Sequence, residues 1–371
     1  MKGRSMAAKV YFVDMRATVE VNLLARFVDC MEKAGVTKVA GPKDLVGVKL
    51  HFGEKGCTAY LKPTYVRTVV ETLAKTGCSV FLTDANTLYG GSRSDSIRHL
   101  KTAFEHGFSY ASMGAPVIIA DGLKGTSYQT VKIDGKHFQS VKIAADIARA
   151  DALVVLTHVK GHELTGIGGA LKNMGMGCGS RAGKLSMHSD VRPYVGDKCV
   201  GCGTCLGWCP VTAITLKDKR AMIASKICIG CGECMFVCPE RAIKFQWDDS
   251  YKAVQEKIAE YALGVAKPKG EKIAYVNVLM DIAPQCDCYP FSDASIVANL
   301  GILASLDPVA IDQASADLIN QAPGVPGTLV KDTRPGSDKF RDIYPELDWT
   351  IQIRHAEEIG LGTSKYTLVR V

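Results

Sequence analysis

Residues 152–178 read ALVVLTHVKGHELTGIGGALKNMGMGC, and the change of character along this stretch decides the fold. The five residues at 152–156 are all apolar, and a strand apolar at every position is one buried on both faces. A glycine-rich turn follows, and GGALKNMG then begins a helix. Strand, turn and helix in that order form one half of a crossover unit. The alternation extends outward in both directions. KVYFVDM (9–15), VGVKL (46–50), SVFLTD (79–84), PVIIA (116–120) and a run at 272–280 read as short apolar strands. Helical patterns over 19–34, 63–75, 95–106, 140–149, 250–264 and 308–320 separate or follow them. The expected fold class is therefore α/β, a mostly parallel sheet covered by helices. In such sheets ligands bind beyond the carboxyl ends of the strands.

One internal repeat interrupts this pattern. DKCVGCGTCLGWCPVTAITL (197–216) and SKICIGCGECMFVCPERAIKF (225–245) align at an offset of 29 residues. Cys199, Cys202, Cys205 and Cys209-Pro210 spell C-x₂-C-x₂-C-x₃-C-P, and Cys228, Cys231, Cys234 and Cys238-Pro239 spell it again. In this bacterial-type arrangement three cysteines hold one [4Fe–4S] cluster and the fourth reaches across to the other. One cluster is assigned to Cys199, Cys202, Cys205 and Cys238, the second to Cys228, Cys231, Cys234 and Cys209. Zinc sites also favour C-x₂-C pairs, but four cysteines closing on Cys-Pro, twice over, fit the clusters better. The expected organisation is an α/β body in two parts, 1–189 and 247–371, with a ferredoxin-like insertion over 190–246.

The glycine-rich stretch is not a nucleotide loop. In GHELTGI, Ile167 stands where a Walker loop requires lysine. Leu171 stands where a dinucleotide fingerprint requires its third glycine. What survives is a Gly168-Gly169 helix start with Lys172 one turn in, suited to a phosphate or carboxylate, unless the glycines serve only close packing. His158, His162 and Lys172 are the candidate catalytic residues. Arg93, in LTDANTLYGGSRSDS (82–96), joins Gly168 and Gly169 as a candidate contact for an anionic small molecule. Cys178, His188, Cys286 and Cys288 are candidates for an additional metal or redox site. Packed, inert thiols are the plain alternative for the cysteines.

Composition bounds the rest. The chain has 371 residues, 47% hydrophobic and 22% charged, with a formal charge of +7 and 14 cysteines. No Lys/Arg block forms a nucleic-acid stripe, and no apolar run is long enough to span a bilayer. The N-terminus lacks the apolar core of a secretory signal. Cytoplasm is the expected compartment, where short C-x₂-C spacings point to metal rather than disulfides.

Taken together, VGVKLHFGEKGCTAYLKP, the 82–96 stretch, VIIADGL, residues 154–190, the cysteine repeat and CDC…GILASLDPVAID resemble the "domain of unknown function 362" family of iron–sulfur proteins. The resemblance covers nearly the whole chain and implies an α/β body fused to a ferredoxin module. A second likeness is to the lactate racemase family, whose His-then-Gly-Gly-x-Lys loop is similar to His162, Gly168, Gly169 and Lys172. Here Lys172 lies three positions after Gly169 rather than two, and no sulfur-pincer nickel ligand can be placed. The leading expectation is an iron–sulfur oxidoreductase in which two [4Fe–4S] clusters exchange electrons with a small-molecule or metal site in the body, fed by a redox partner protein. The alternatives are a non-catalytic electron carrier that docks another enzyme, and a cluster-based sensor or scaffold.

Overall fold

A computed structural model describes residues 7–188, 193–209, 211–228, 233–244 and 251–371. Its centre is an eight-stranded sheet. The strands are β1 (Ala8–Asp14), β2 (Leu45–Lys49), β3 (Ser79–Asp84), β4 (Val117–Ile119), β5 (Ala152–His158), β6 (Ile273–Leu279), β7 (Gly301–Ser305) and β8 (Tyr366–Arg370). Their spatial order is β8-β1-β7-β6-β5-β2-β3-β4. Within this sheet, among the described residues, only β7 pairs antiparallel to its neighbours, β1 and β6; the other pairings of the sheet are parallel. The fold is the expected α/β class.

Apolar residues at every position of β5 find a packing partner because helices cover both faces. Leu153 and Val155 enter one hydrophobic cluster, Val154 and Leu156 the other. Ile273 and Tyr275 of β6 divide from Ala274 and Val276 in the same way, as the two-residue period of a strand requires. Helices α1 (Leu23–Ala34) and α2 (Pro63–Ala74) cover the second face through Phe27, Met31, Val66 and Val69. The first face is covered by α4 (Ala170–Cys178), α6 (Tyr251–Lys269) and α7 (Pro308–Gln321). Between β3 and β4 lies α3 (Ser96–Glu105), whose first turn is capped by Asp95. Helix α5 (Arg181–His188) follows α4, and α8 (Thr350–Glu358) precedes β8.

Two local expectations are corrected. Residues 140–149 are not one helix: Ser140–Ala144 is a strand, and only Ala145–Arg149 is helical. Val141 and Ile143 alternate inward while Ser140–Ala144 pairs antiparallel with Tyr128–Lys132, so the period-2 pattern prevails over helix propensity. The stretch after β5 is also not a plain loop. Lys160–His162 pairs antiparallel with Gly166–Gly168 as a short ribbon.

Residues 193–244 contain two small hairpin-like pairings, Tyr194–Val195 with Ile243–Lys244 and Ile214–Lys217 with Arg220–Ile223. They enclose their own core of Cys205, Ile214, Ala221, Cys234 and Ile243. Pro210, Gly230, Cys231 and Gly232 of the repeat lie outside the described residues. Contacts among the described residues join this unit to the body. Met235 packs against the Leu88–Leu185 pair, and the Lys124 ammonium sits 3.7 Å from the centre of the Trp208 ring, a cation–π distance.

Leu156, fully buried in β5, tests the packing. Its replacement by alanine is expected to cost about 2–5 kcal/mol, measured as a lower denaturation midpoint of the body. A change within error would mean that the two-faced burial is wrong.

Candidate functional site

The parallel strands β2, β3 and β5 end on the same side of the sheet, in Lys49, Asp84 and His158. The segment after β6 arrives at the same edge and makes a tight turn, with the Tyr289 N–H donating to the Cys286 carbonyl at 3.1 Å. Between these ends lies a cavity of about 570 Å³, within the size range of small-molecule sites. Its floor and walls carry an unusual density of buried charge, arranged largely in pairs.

The Lys49 ammonium lies 3.0 Å from Asp84 Oδ1 and donates to Asn173 Oδ1 at 2.6 Å. Asn173 in turn donates to the Leu156 carbonyl and to Thr157 Oγ1, both at 3.0 Å. Burial by itself would raise the Asp84 pKa, but the Lys49 ammonium, with the His99 ring 3.6 Å from Oδ2, holds it well below the usual carboxylate range. Arg93 Nε meets Glu54 Oε2 at 3.1 Å, and another guanidinium nitrogen donates to Tyr89 Oη at 3.0 Å. Lys160 Nζ lies 3.3 Å from Asp287 Oδ2, and His158 Nδ1 lies 2.8 Å from Asp287 Oδ1. Burial again works against ionisation of Asp287, and His158 and Lys160 overcome it, keeping the carboxyl well below its ordinary value.

Lys184 is the exception. It donates to the Gly179 carbonyl, and among the described residues no carboxylate comes within ion-pair distance of it. Burial pushes its pKa down to about 8, with Asp121 and Asp84 opposing. His188, also on the cavity wall, is pushed down to about 3 by burial, with Lys172 and His162 adding to the effect.

The sulfur corner gathers the cavity's thiols beside a histidine and a lysine. His162, Cys286 and Cys288 bring ligand-type atoms within 4.8 Å of one another. Lys172 Nζ donates to Cys286 Sγ at 3.5 Å. The Cys286 thiol lies well below its usual range, through a hydrogen bond from Cys288 first, against the opposing cost of burial, and with Lys172 and His162 contributing. His162 Nδ1 accepts the Leu164 N–H at 3.1 Å, which leaves the ring proton on Nε2.

Several sequence expectations meet in this cavity and several do not. His162, Lys172, His188, Arg93 and Cys288 line it, and Cys286 lies just behind, held by Lys172. His158 is placed beneath it instead, one ring nitrogen on Asp287 and the other 2.8 Å from the Met280 carbonyl. It is a positioning residue with both nitrogens engaged. Cys178 is a core thiol, fully buried and pushed up to about 11 by that burial. The Gly168-Gly169 helix start holds no external anion. Its free N–H groups, on Ala170 and Leu171, donate to the two oxygens of the buried Asp312 carboxylate at 2.7 and 2.9 Å. A Cβ on Gly169 would stand 2.4 Å from Asp312 Oδ1. The second glycine exists to admit that carboxylate, which is the close-packing alternative. Lys49, Glu54, Lys160, Lys184 and Asp287 were not anticipated. A charge ending an apolar strand, as Lys49 does, or enclosed between two cysteines, as Asp287 is, was the available signal.

A two-faced α/β sheet with a charged cavity at its strand ends and a cysteine-rich unit inserted beside it defines the class. The chain belongs to the family described as Domain of unknown function (DUF362), which matches residues 46–317, from β2 into α7. No curated protein matches the chain. Among solved structures it is similar to the lactate racemase apoprotein from Thermoanaerobacterium thermosaccharolyticum, at 10% identity and a TM-score of 0.34. That alignment covers 75% of this chain and 52% of the other, so the chain spans about half of that protein's length. A likeness at this level carries no argument about the site.

Two outcomes check this geometry. Gly169→Ala is expected to cost about 1–3 kcal/mol through overpacking against Asp312, seen as a lower thermal midpoint; tolerance of alanine would mean that Asp312 does not cap α4. Lys184 tests the buried charge. Its folded pKa of about 8 lies below the ordinary 10.5, so between these values the unfolded chain binds more protons. The penalty is fully present below pH 8 and fades as pH rises toward 10.5. The wild type should therefore gain stability over Lys184→Met across that window, and a pH-independent difference between the two would refute the burial of an ammonium there.

Proposed function

We propose that this is an iron–sulfur redox protein in which two [4Fe–4S] clusters exchange electrons with an anionic small molecule held in the body's cavity. Cys199, Cys202, Cys205 and Cys238 would hold one cluster, and Cys209, Cys228, Cys231 and Cys234 the other. The donor set fits. Cys199, Cys202, Cys205 and Cys238, the crossed set expected from the repeat, line one small void. Backbone N–H groups point at the sulfurs: Ala221 at Cys199 (3.4 Å), Ala213 at Cys209 (3.2 Å) and Ala242 at Cys238 (3.2 Å). Such hydrogen bonds tune cluster potentials. Gly201 has φ +68°, and a Cβ there would stand 2.3 Å from the Lys219 carbonyl oxygen, so the tight loop requires glycine. When bound, the clusters supply one-electron transfer.

The observation that carries the reading is where the inserted unit meets the body. Met235, next to Cys234, packs on Leu88 and Leu185, and Leu88 lines the cavity. Electrons arriving in the unit would reach the wall of a charged cavity rather than open surface. A body serving only to dock another enzyme has no use for a cavity of about 570 Å³ lined by buried charge. The cations favour an anionic occupant: Lys184 has no carboxylate partner among the described residues, and it stands with Lys172 on the wall. A separate redox protein is the expected electron source. No helix among the described residues is long and apolar enough to cross a membrane.

Anaerobically isolated protein is expected to carry about eight iron and eight sulfide per chain, with dithionite-reduced signals from two interacting clusters. Cys202→Ser and Cys238→Ser should each remove the same cluster, and Cys209→Ser the other, read by iron content and by the paramagnetic spectrum. Stoichiometric zinc in place of iron would overturn the reading.

A further inference from the structure

The sulfur corner contains two thiols that the cluster reading does not use. Cys286 and Cys288 occupy positions i and i+2 of the turn closed by Tyr289 N–H on the Cys286 carbonyl. Between them Asp287 turns the other way, fixed by His158 at 2.8 Å and by Lys160 at 3.3 Å. The middle of the turn is thereby pinned, while the two sulfurs face the same corner, within 4.8 Å of each other. Rotation about the two Cα–Cβ bonds is the motion available to bring them to the roughly 2.0 Å of a disulfide.

Two contacts decide what these sulfurs do. Lys172 places its ammonium 3.5 Å from Cys286 Sγ, where a metal ion would have to compete with a fixed positive charge. His162 accepts a backbone N–H at Nδ1, so Nε2 carries the proton and acts as a donor toward the sulfurs rather than as a ligand. Both arrangements suit a thiolate that exists as such.

We infer that Cys286 and Cys288 form a redox-active dithiol, a two-electron store at the wall of the cavity. In its reduction the S–S bond takes up two electrons and one proton. The bond breaks, Cys286 is released as a thiolate beside Lys172 and His162, and Cys288 becomes the thiol that hydrogen-bonds to it. Oxidation by a bound acceptor returns two electrons and one proton and re-forms the bond. The reductant is a one-electron carrier acting twice, the class to which the two proposed clusters belong. A packing contact, one peptide link and a hydrogen bond join the two regions. Leu88, packed against Met235, is followed by Tyr89, whose hydroxyl lies 3.5 Å from the Cys288 carbonyl oxygen. The store thus converts single electrons into pairs next to the bound molecule. The relay rests on the cluster reading; the dithiol couple itself does not.

Differential alkylation of the full-length, cluster-bearing protein tests the inference. Samples are poised in a series of thiol–disulfide buffers, quenched with an alkylating agent, and the peptide spanning 281–300 is analysed by mass spectrometry. The peptide is expected to change between two labels and none as a single two-electron step. Labelling of both cysteines at every poise would overturn the dithiol, as would an unlabelled pair under full reduction accompanied by one equivalent of a metal other than iron. In the reduced protein Lys172→Gln should slow alkylation of Cys286 by about tenfold or more, because the thiolate loses its nearby charge. An unchanged rate in a folded variant would count against the assigned thiolate. Iron measured on the same samples separates the two readings. An inert pair in eight-iron protein overturns the dithiol alone, and a switching pair in iron-free protein overturns the clusters alone.

Discussion

A single buried carboxylate sets the geometry of the cavity. Asp312, on α7, accepts from the first two N–H groups of α4 and from Asn277 of β6. Burial pushes its pKa up to about 6, against the hydrogen bonds that favour ionisation. Because the carboxylate fixes where α4 starts, it fixes where the residues of the first turn point. Lys172 reaches Cys286, and Asn173 reaches Lys49 on one side and the end of β5 on the other. Lys49 in turn holds Asp84. A helix start that resembles an anion-binding loop is occupied by the protein's own anion, and the cavity is lined by the side chains beyond it.

The charges follow the same economy. Buried ions are costly unless paired and hydrogen-bonded. Lys49 with Asp84, Arg93 with Glu54, and Lys160 with Asp287 meet that demand within the protein. Pairs of this kind add little net stability, but they hold side chains in one orientation beside the cavity. Lys172 is matched by a sulfur instead of a carboxylate, a partner whose charge depends on its redox and protonation state. That difference sets the sulfur corner apart from the structural ion pairs around it.

Much of the fold was legible because it rests on local pattern. Unbroken apolar runs such as 152–156 marked central strands, and Pro63 marked the start of α2. The reading failed where tertiary context decided. Ser140–Ala144 became a strand because Tyr128–Lys132 was available to pair with it. Strand β7, which opens on Gly301, was not read from the sequence, and its reversed direction shows in the hydrogen bonds to β1 and β6 on either side. Of the site, the cysteine and histidine members His162, Cys286, Cys288 and His188 were visible as residue types out of keeping with their surroundings. Apart from Lys172, the lysines were not. Lys49, Lys160 and Lys184 look like ordinary surface charge until the folded chain places them under 7% exposure. Gly169 was visible with two readings open, since a glycine that admits a side chain and one that admits a phosphate leave the same mark in a sequence.

The ribbon over 160–168 gives the glycines another meaning. A Cβ on Gly161 would stand 2.0 Å from the Pro284 carbonyl oxygen, and one on Gly166 would stand 2.7 Å from Trp349 Cβ. Gln352 donates to the Ile167 carbonyl at 3.1 Å from the same side. The ribbon is clamped between two other segments and behaves as a rigid wall. A glycine-rich strip beside a binding site is usually expected to swing, and the rate of ligand capture would then follow its opening. Here the strip has no room to swing, so the dimensions of the cavity mouth, rather than the frequency of a moving flap, would govern how fast a molecule reaches the sulfur corner.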